Sequence, residues 1–466
     1  MALSIHLRPA TAAHVRGRRA RTDAAIRLGA GSLLWLSLLL VAYWWVAARG
    51  IQDLGGWESG LLSTGRLSGL VASDLLLVQV LLMARLPLLE RAFGQDRLAH
   101  VHRLVGFTSF TLMVAHVVLI VWGYAGGSLP GVPAETWRMT WNDPGMLIAV
   151  AGTLCLGMVV VTSIKAARAR LRYESWHLLH LYAYLGVGLA LPHQLWTGTE
   201  LVGSTGRSVF WWSAWAVAAA AVLVFRLGLP LWRNLRHRVH VTSVVAEGDG
   251  VVSVHLGGRN LHRLHAEAGQ FFVWRFLTGE GRTRGNPYSL SAAPTHDSLR
   301  ITVKDLGDQS GRLKELPVGT RVLFEGPFGR LGDRARTRDK IALIGAGVGI
   351  TPLRALAEGM AYEPGEAVML HRYRDRPLMQ LELERLSAER GLGLLWLPGA
   401  RRSDDSWLGG HVGRADDLTA LTSWVPDITQ RDVYVCGPTV WAGQVVATLR
   451  AAGLAPDQIH LESFSW

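Results

Sequence analysis

Cysteine is almost absent: there are two residues in 466, Cys155 inside an apolar run and Cys436 beside Gly437-Pro438. That excludes a disulfide framework, a zinc finger and a cysteine-held iron–sulfur cluster. Charge is also scarce, 18% of residues against 49% hydrophobic, which excludes a disordered or fibrous chain. Acidic residues are the scarcer sign, 36 against 48 basic, leaving a formal charge of +12. Such an excess suits either a nucleic-acid binder or the arginine code of a membrane protein, and position along the chain separates the two. The mean hydropathy of +0.21 and the 19 Trp point to membrane-embedded segments mixed with soluble ones.

Six stretches, near 28–48, 66–89, 100–123, 144–164, 175–195 and 208–229, have the length to cross about 30 Å of hydrocarbon as helix. From about residue 236 onward the texture changes to short alternating strands, Gly and Pro turns and amphipathic helices. Arginine and lysine concentrate before the first span (Arg16, Arg18, Arg19, Arg21, Arg27), between the second and third (Arg85, Arg91, Arg97), between the fourth and fifth (Lys165, Arg168, Arg170, Arg172) and after the sixth (Arg226, Arg233, Arg236, Arg238). All these segments fall on one side, so both termini are expected in the cytoplasm of a multi-pass cell-membrane protein. The alternate loops, 49–65, 124–143 and 196–207, are poor in basic residues. The basic excess is thereby used as an orientation code, and no nucleic-acid partner is expected. The N-terminal basic segment is too long for a cleaved signal peptide and is expected to stay.

Four histidines lie within the expected spans: His102 and His116 in the third, His180 and His193 in the fifth. Ionisable groups at membrane depth are costly and mark function by default, although any one of them alone is accounted for by a hydrogen bond to a neighbouring helix. His102 and His116 are 14 residues apart, which returns to nearly the same helix face about 21 Å further along. His180 and His193 are 13 apart and would diverge by about 140° on an ideal helix, a mismatch that Pro192, Gly186 and Gly188 can relieve by local unwinding. Both spans run from inside to outside, so the residues pair by depth as His102 with His180 and His116 with His193. Two stacked bis-imidazole sites suit two haems, whereas zinc would want a tetrahedral cluster. His100 and His177 read as interfacial.

In the soluble half, 238–335 reads as strands of a small antiparallel barrel. Within it, Asn286-Pro287-Tyr288-Ser289 sets an aromatic beside a hydroxyl, and Lys304 to Ser310 is a turn able to offer backbone N–H groups and a lysine to phosphate. From Lys340 the pattern is strand, Gly-rich turn and helix, with Gly345, Gly347 and Gly349 ahead of Pro352. Glycines let a backbone approach a pyrophosphate at a helix N-terminus. A following strand ends at Arg372 and Arg374, either surface arginines or partners of a 2′-phosphate; a later one leads into Cys436-Gly437-Pro438 at the ligand-binding edge of such sheets.

In this order the motifs resemble the ferric reductase and NADPH oxidase superfamily of transmembrane electron-transfer flavoproteins, from about residue 30 to Trp466. His102-Arg103-x-x-Gly106 with His116, and Glu174-x-Trp176-x-x-x-His180 with His193, look like the two haem-binding helix motifs of that family. The soluble half is similar to ferredoxin-NADP reductase modules. That resemblance implies that Pro287, Tyr288 and Ser289 pack the flavin ring, that Lys304, Gly307 and Ser310 lie along the FAD phosphates, and that Gly345, Gly347 and Pro352 hold the nicotinamide-nucleotide pyrophosphate. It also implies that Cys436, Gly437 and Pro438 lie beside the nicotinamide and that the terminal Trp466 covers the flavin. Asn286 departs from the family's usual His or Arg, and Arg284 is the candidate to compensate.

The expected architecture is therefore a six-helix transmembrane haem-binding bundle (28–235) behind a cytoplasmic basic N-terminus (1–27), then an antiparallel β-barrel FAD domain (236–335) and an α/β Rossmann-like NAD(P) domain (336–466). The expected cofactors are FAD, two b-type haems and NADPH, with NADH also open. Cytoplasmic NAD(P)H would deliver hydride to FAD, with Tyr288, Ser289, Cys436 and Trp466 as the expected catalytic residues around the flavin, and FAD would pass electrons singly to the inner haem, the outer haem and then external oxygen or a ferric chelate. Beyond the lipid bilayer no obligatory protein partner is evident, and a relay to a partner protein is the alternative. Arg66, at the outer end of the second span, is read as an attractor of an anionic acceptor or a simple interface anchor.

Overall fold

A computed structural model describes residues 9–171, 173–198, 204–248, 250–279, 281–282, 284–413 and 415–463. The chain divides into two compact units: Ala25–Leu229, and the N-terminal segment up to Ala24 together with the chain from Pro230 onward.

The first unit is helical: α1 (Pro9–Ala47), which begins in the other unit, α2 (Trp57–Met83), α3 (Gln95–Tyr124), α4 (Val132–Asn142), α5 (Met146–Ser163), α6 (Tyr173–Thr197) and α7 (Thr205–His237), which runs on beyond it. Among the described residues, five helices are long and apolar enough to cross a membrane: α2, α3, α5, α7 and the Arg19–Ala47 part of α1. Leu28, Leu33, Leu36 and Leu39 stay exposed on α1, as lipid-facing side chains do. The expected fifth span is also one helix, the 25 residues of α6, but it falls outside those five. Its own His177, His180, Pro192, His193 and Gln194 lower its hydropathy. The second span starts earlier than expected and stops at Met83, because Arg85 takes a positive φ of 60° and Pro87 opens a separate short helix, Pro87–Phe93. Small residues set the close helix pairs. A Cβ on Gly123 of α3 would fall 2.6 Å from the Leu62 side chain of α2, and one on Gly152 of α5 would fall 2.8 Å from the Gly186 carbonyl of α6. α3 is thus held on α2, and α6 on α5, which brings the histidine-bearing helices their supports.

The second unit opens with six antiparallel strands: β1 (His240–Gly248), β2 (Val251–Gly257), β3 (Phe271–Phe276), β4 (Asn286–Ser289), β5 (Ser298–Lys304) and β6 (Val322–Phe328). They form two three-stranded sheets, β1-β2-β5 and β4-β3-β6, whose edges meet at the single bridges His240–Arg321 and Leu290–Ile301. Val254, Leu256, Phe272, Trp274, Leu290, Ile301 and Phe324 fill one core between them. A parallel sheet follows, in the order β11-β10-β7-β8-β9, from β7 (Lys340–Ala346), β8 (Ala367–Arg372), β9 (Gly393–Leu397), β10 (Arg431–Gly437) and β11 (Ile459–Ser463). β7 and β10 are apolar runs buried on both faces, as a helix-covered parallel sheet requires. Helices α8 (Ile350–Gly359), α9 (Gln380–Arg390) and α10 (Thr439–Ala451) are among its covers. The start of α1 is part of this unit: buried Asp23 accepts from Arg334 at 2.5 Å and pairs with Arg330 at 3.5 Å.

Candidate functional site

In the helical unit the four histidines form two pairs at two levels. The ring centroids of His102 and His180 are 6.0 Å apart, and those of His116 and His193 are 6.4 Å apart. Two imidazoles sharing one metal ion, at about 2 Å per metal–nitrogen bond, place their centroids about 6 Å apart. The spacing fits a shared iron at each level.

Donor counting fixes which ring nitrogen is available. His102 Nδ1 lies 3.1 Å from the Gln79 carbonyl, and His116 Nδ1 lies 2.8 Å from the Gly65 carbonyl. A carbonyl only accepts, so each Nδ1 carries the proton and each Nε2 keeps its lone pair for a ligand. His180 Nδ1 lies 3.3 Å from Ser163 Oγ, whose own hydrogen goes to the Val159 carbonyl at 2.7 Å. The serine oxygen is left to accept, from His180 and also from Trp176 Nε1 at 3.4 Å. His180 therefore also presents Nε2. The 13-residue spacing of His180 and His193 is accommodated with Pro192 inside helix α6, and His193 N packs 3.1 Å from where a Cβ on Gly145 would stand. His177 stacks near Trp176 rather than entering a pair.

In the soluble unit, Pro287, Tyr288 and Ser289 lie on β4, in register with Val273, Phe272 and Phe271 of β3. Trp274 Nε1 donates to the Tyr288 carbonyl at 3.1 Å. Burial pushes the Tyr288 hydroxyl up to about 12, so it stays a neutral phenol. Asn286 begins the same strand, and Arg284 stands two residues before it, across Gly285. Lys304 ends β5 and is exposed. The turn after it is ordered locally: Gly307 N–H donates to Asp305 Oδ1 at 2.8 Å, and Ser310 Oγ donates to the Gly307 carbonyl while accepting from Leu306 N–H. Gly307 has φ +87°, which explains glycine there.

Gly345 is the last buried residue but one of β7, and the turn Gly347–Gly349 opens onto α8, whose first turn holds Pro352. A Cβ on Gly349 would collide with the Cys436 carbonyl, so the loop and the Cys436-Gly437-Pro438 corner close on each other only through glycine. Cys436 is fully buried, and burial, with help from Glu462, pushes its thiol well up; it is held as a neutral thiol. Trp466, the remaining expected site residue, lies outside the described residues.

Arg372 and Arg374 lie at and just beyond the end of β8, and Arg372 Nη2 donates to the Gly399 carbonyl at 3.3 Å. Burial lowers the Arg372 guanidinium, and the charges of Arg401 and Arg374 lower it further. The charges of Arg374 and Arg401 thus act on Arg372 near this strand end, an arrangement suited to an anion, with Arg401 also paired with the exposed Asp404. Arg401 is 29 residues after Arg372 in sequence, and no motif marked it.

Other contributors were equally invisible in the sequence. Arg300 on β5 and Arg354 on α8 share Glu382 of α9, each at 2.8 Å, and Arg300 also donates to the Ser291 carbonyl at 2.9 Å. Glu358 accepts from Ala293 N–H at 2.6 Å. This network ties the segment after Ser289 to the helix that follows the glycine loop. On the helical unit, Arg66 is paired with Asp53 at 2.6 Å, which favours the anchoring role over attraction of an anionic acceptor.

Residues 68–191 match the family described as ferric reductase like transmembrane component, and residues 343–446 match the oxidoreductase NAD-binding domain. Together they give the chain a ferric reductase/NADPH oxidase-type architecture. Among curated proteins the chain is similar to a glycine betaine monooxygenase reductase subunit of Chromohalobacter salexigens, 27% identical over 50% of this chain and 65% of that protein. It is also similar to a flavohemoprotein of Chromobacterium violaceum, 30% identical over 50% and 60%, and to the ferredoxin reductase component of a Mycolicibacterium smegmatis 3-ketosteroid-9-alpha-monooxygenase, 28% identical over 43% and 56%. The chain thus spans less than two thirds of the length of each. Among solved structures, the FAD/NAD-binding domain of a nitric oxide dioxygenase from Vibrio cholerae is 25% identical and covers 49% of this chain and 98% of that one, at a TM-score of 0.39.

Proposed function

We propose that this chain, with its ferric reductase-like transmembrane component and NAD-binding domain, is a transmembrane NAD(P)H-dependent oxidoreductase of the cell membrane. It would take electrons from cytoplasmic NAD(P)H and deliver them to an external acceptor, oxygen or ferric iron. The observation that carries this reading is the pair of two-histidine sites at 6.0 and 6.4 Å, stacked in one chain that also holds a glycine-rich nucleotide sheet. When bound, FAD and two b-type haems would supply the conversion of a two-electron hydride donor into single-electron steps and the path for those electrons across the bilayer.

The protein's own residues bind, orient and exclude. His102 and His180 would hold the inner haem and His116 and His193 the outer, with Gln79, Ser163 and Gly65 orienting three of the rings. Pro287, Tyr288 and Ser289 would pack the flavin ring, with Arg284 and Asn286 leading into that strand and Lys304, Gly307 and Ser310 along the phosphates. Gly345, Gly347 and Pro352 would receive the nucleotide pyrophosphate, and Arg372, Arg374 and Arg401 its 2′-phosphate, which favours NADPH over NADH. Cys436, kept neutral by burial, with Gly437 and Pro438 would line the nicotinamide side without adding negative charge there. The basic connections between spans support a cytoplasmic position for both termini.

A second reading is a membrane relay that reduces a partner protein, and the relatives named as reductase subunits and components favour it. Anaerobic reduction of detergent-purified protein with NADPH or NADH, followed by oxygen or a ferric chelate, separates these readings. Prompt reoxidation by one acceptor supports the first. Reduced protein that persists against both supports the relay, and absorbance unchanged by either nucleotide contradicts both.

A further inference from the structure

Within α7, the stretch Val222–Gly228 is π-helical inside an otherwise α-helical span. Such insertions are rare and occur frequently at functional sites. Its single charged residue is Arg226, half-buried on a helix apolar enough to cross a membrane, where an unmatched cation is costly. Arg226 Nη1 reaches 3.4 Å from the carbonyl of Met83, the last residue of α2. One turn earlier on α2, the Gln79 carbonyl holds His102. The guanidinium also lies within electrostatic reach of His180. Arg226 therefore arrives beside the His102–His180 pair, at its cytoplasmic end. Among the described residues no carboxylate pairs with it, whereas Arg66 is matched by Asp53 and Arg138 by Glu135, each at 2.6 Å.

We infer that Arg226 binds the carboxylate side groups of the tetrapyrrole held by His102 and His180. A guanidinium offers a planar fork of donors that matches a carboxylate and keeps its charge at any working pH. The π insertion is what turns that fork toward the histidine pair rather than toward lipid. This inference rests on the two-haem reading above.

The test uses the full-length protein in detergent, with haem per chain measured as the pyridine haemochrome and both midpoint potentials measured by redox titration. Arg226→Gln is expected to drop haem from two toward one per chain or, at full occupancy, to move one of the two midpoint potentials to more negative values while the other stays. Arg226→Lys, which keeps the charge and loses the fork, is expected to retain two haems but release one to apomyoglobin several-fold faster than the wild type. Two haems with both potentials unmoved in Arg226→Gln would overturn the assignment. If Arg226→Gln also loses FAD, and so has misfolded, Arg226→Lys decides, and wild-type release rates there overturn it. A wild-type protein carrying no haem removes the two-haem reading itself, and that is seen before any variant is made.

Discussion

A single methyl group at Gly69 tests how tightly the outer histidine pair is built. The Cβ of Gly69→Ala would stand 2.8 Å from Cε1 and 2.9 Å from Cγ of His116, and closer still to Nδ1. Carbon contacts are comfortable at about 3.5–4.0 Å, so the ring must retreat by about 0.6–1 Å. That retreat strains or breaks the 2.8 Å bond from His116 Nδ1 to the Gly65 carbonyl and turns Nε2 off the line to His193. Hydrogen bonds that orient a metal-ligating histidine are worth about 10–100-fold in affinity, or about 1.4–2.8 kcal/mol. Gly69→Ala should therefore weaken haem at the outer site by that factor while leaving the inner site and flavin reduction by NAD(P)H intact. Haem titration of the purified apoprotein reads the loss directly. Gly157→Ala, where a Cβ meets nothing within 4 Å, serves as the matched control. Two sites of wild-type affinity in Gly69→Ala would refute the ligand geometry.

Three further outcomes follow from the soluble unit. Arg401→Leu removes one of three converging cations, so the KM for NADPH should rise about 10-fold or more, the worth of one charge-assisted hydrogen bond, with the KM for NADH within twofold; equal changes for both nucleotides would contradict a 2′-phosphate site. Burial raises the Glu382 carboxyl, but the Arg300 hydrogen bond and the Arg354, Arg300 and Arg385 charges outweigh it and hold the group below its ordinary value. Its stabilising contribution is thus present above that value and lost as pH falls through the lowered one. Glu382→Gln should cost about 1.5–3 kcal/mol at neutral pH, and denaturant titrations should show the gap to wild type closing in acid; a gap independent of pH would contradict the clamp. His371 is buried with neither ring nitrogen partnered, and burial lowers it to about 4. It is stable as a neutral ring above its ordinary value of about 6.5, and stability falls by up to about 1.4 kcal/mol per pH unit between there and 4. In the same titrations, His371→Phe should lose that slope; an unchanged slope would place it elsewhere.

Much of the site was legible because its chemistry is carried by side-chain spacing. Fourteen residues between His102 and His116 specify one helix face, and the depth pairing with His180 and His193 follows from the run of the spans. The groups that orient those rings were not legible. Gln79 and Gly65 act through backbone carbonyls, which any residue could supply, and only the close approach of α2 to α3 selects them. Arg226 was visible only as part of a basic cluster, since nothing in a sequence marks a π insertion. The glycine loop was readable as strand, turn and helix, but the need for Gly349 came from the distant Cys436 corner. The apolar texture that betrayed most spans fades in α6, because His177, His180, His193 and Gln194 are polar.

On the proposed function, one chain holds two bis-histidine haems in series with a flavin. Measuring haem and FAD per chain in the full-length purified protein, then in His116→Ala, tests it most directly. Two haems and one FAD are expected in the wild type, with His116→Ala retaining FAD and one haem that NADPH still reduces. Two haems in His116→Ala, or none in the wild type, would contradict it.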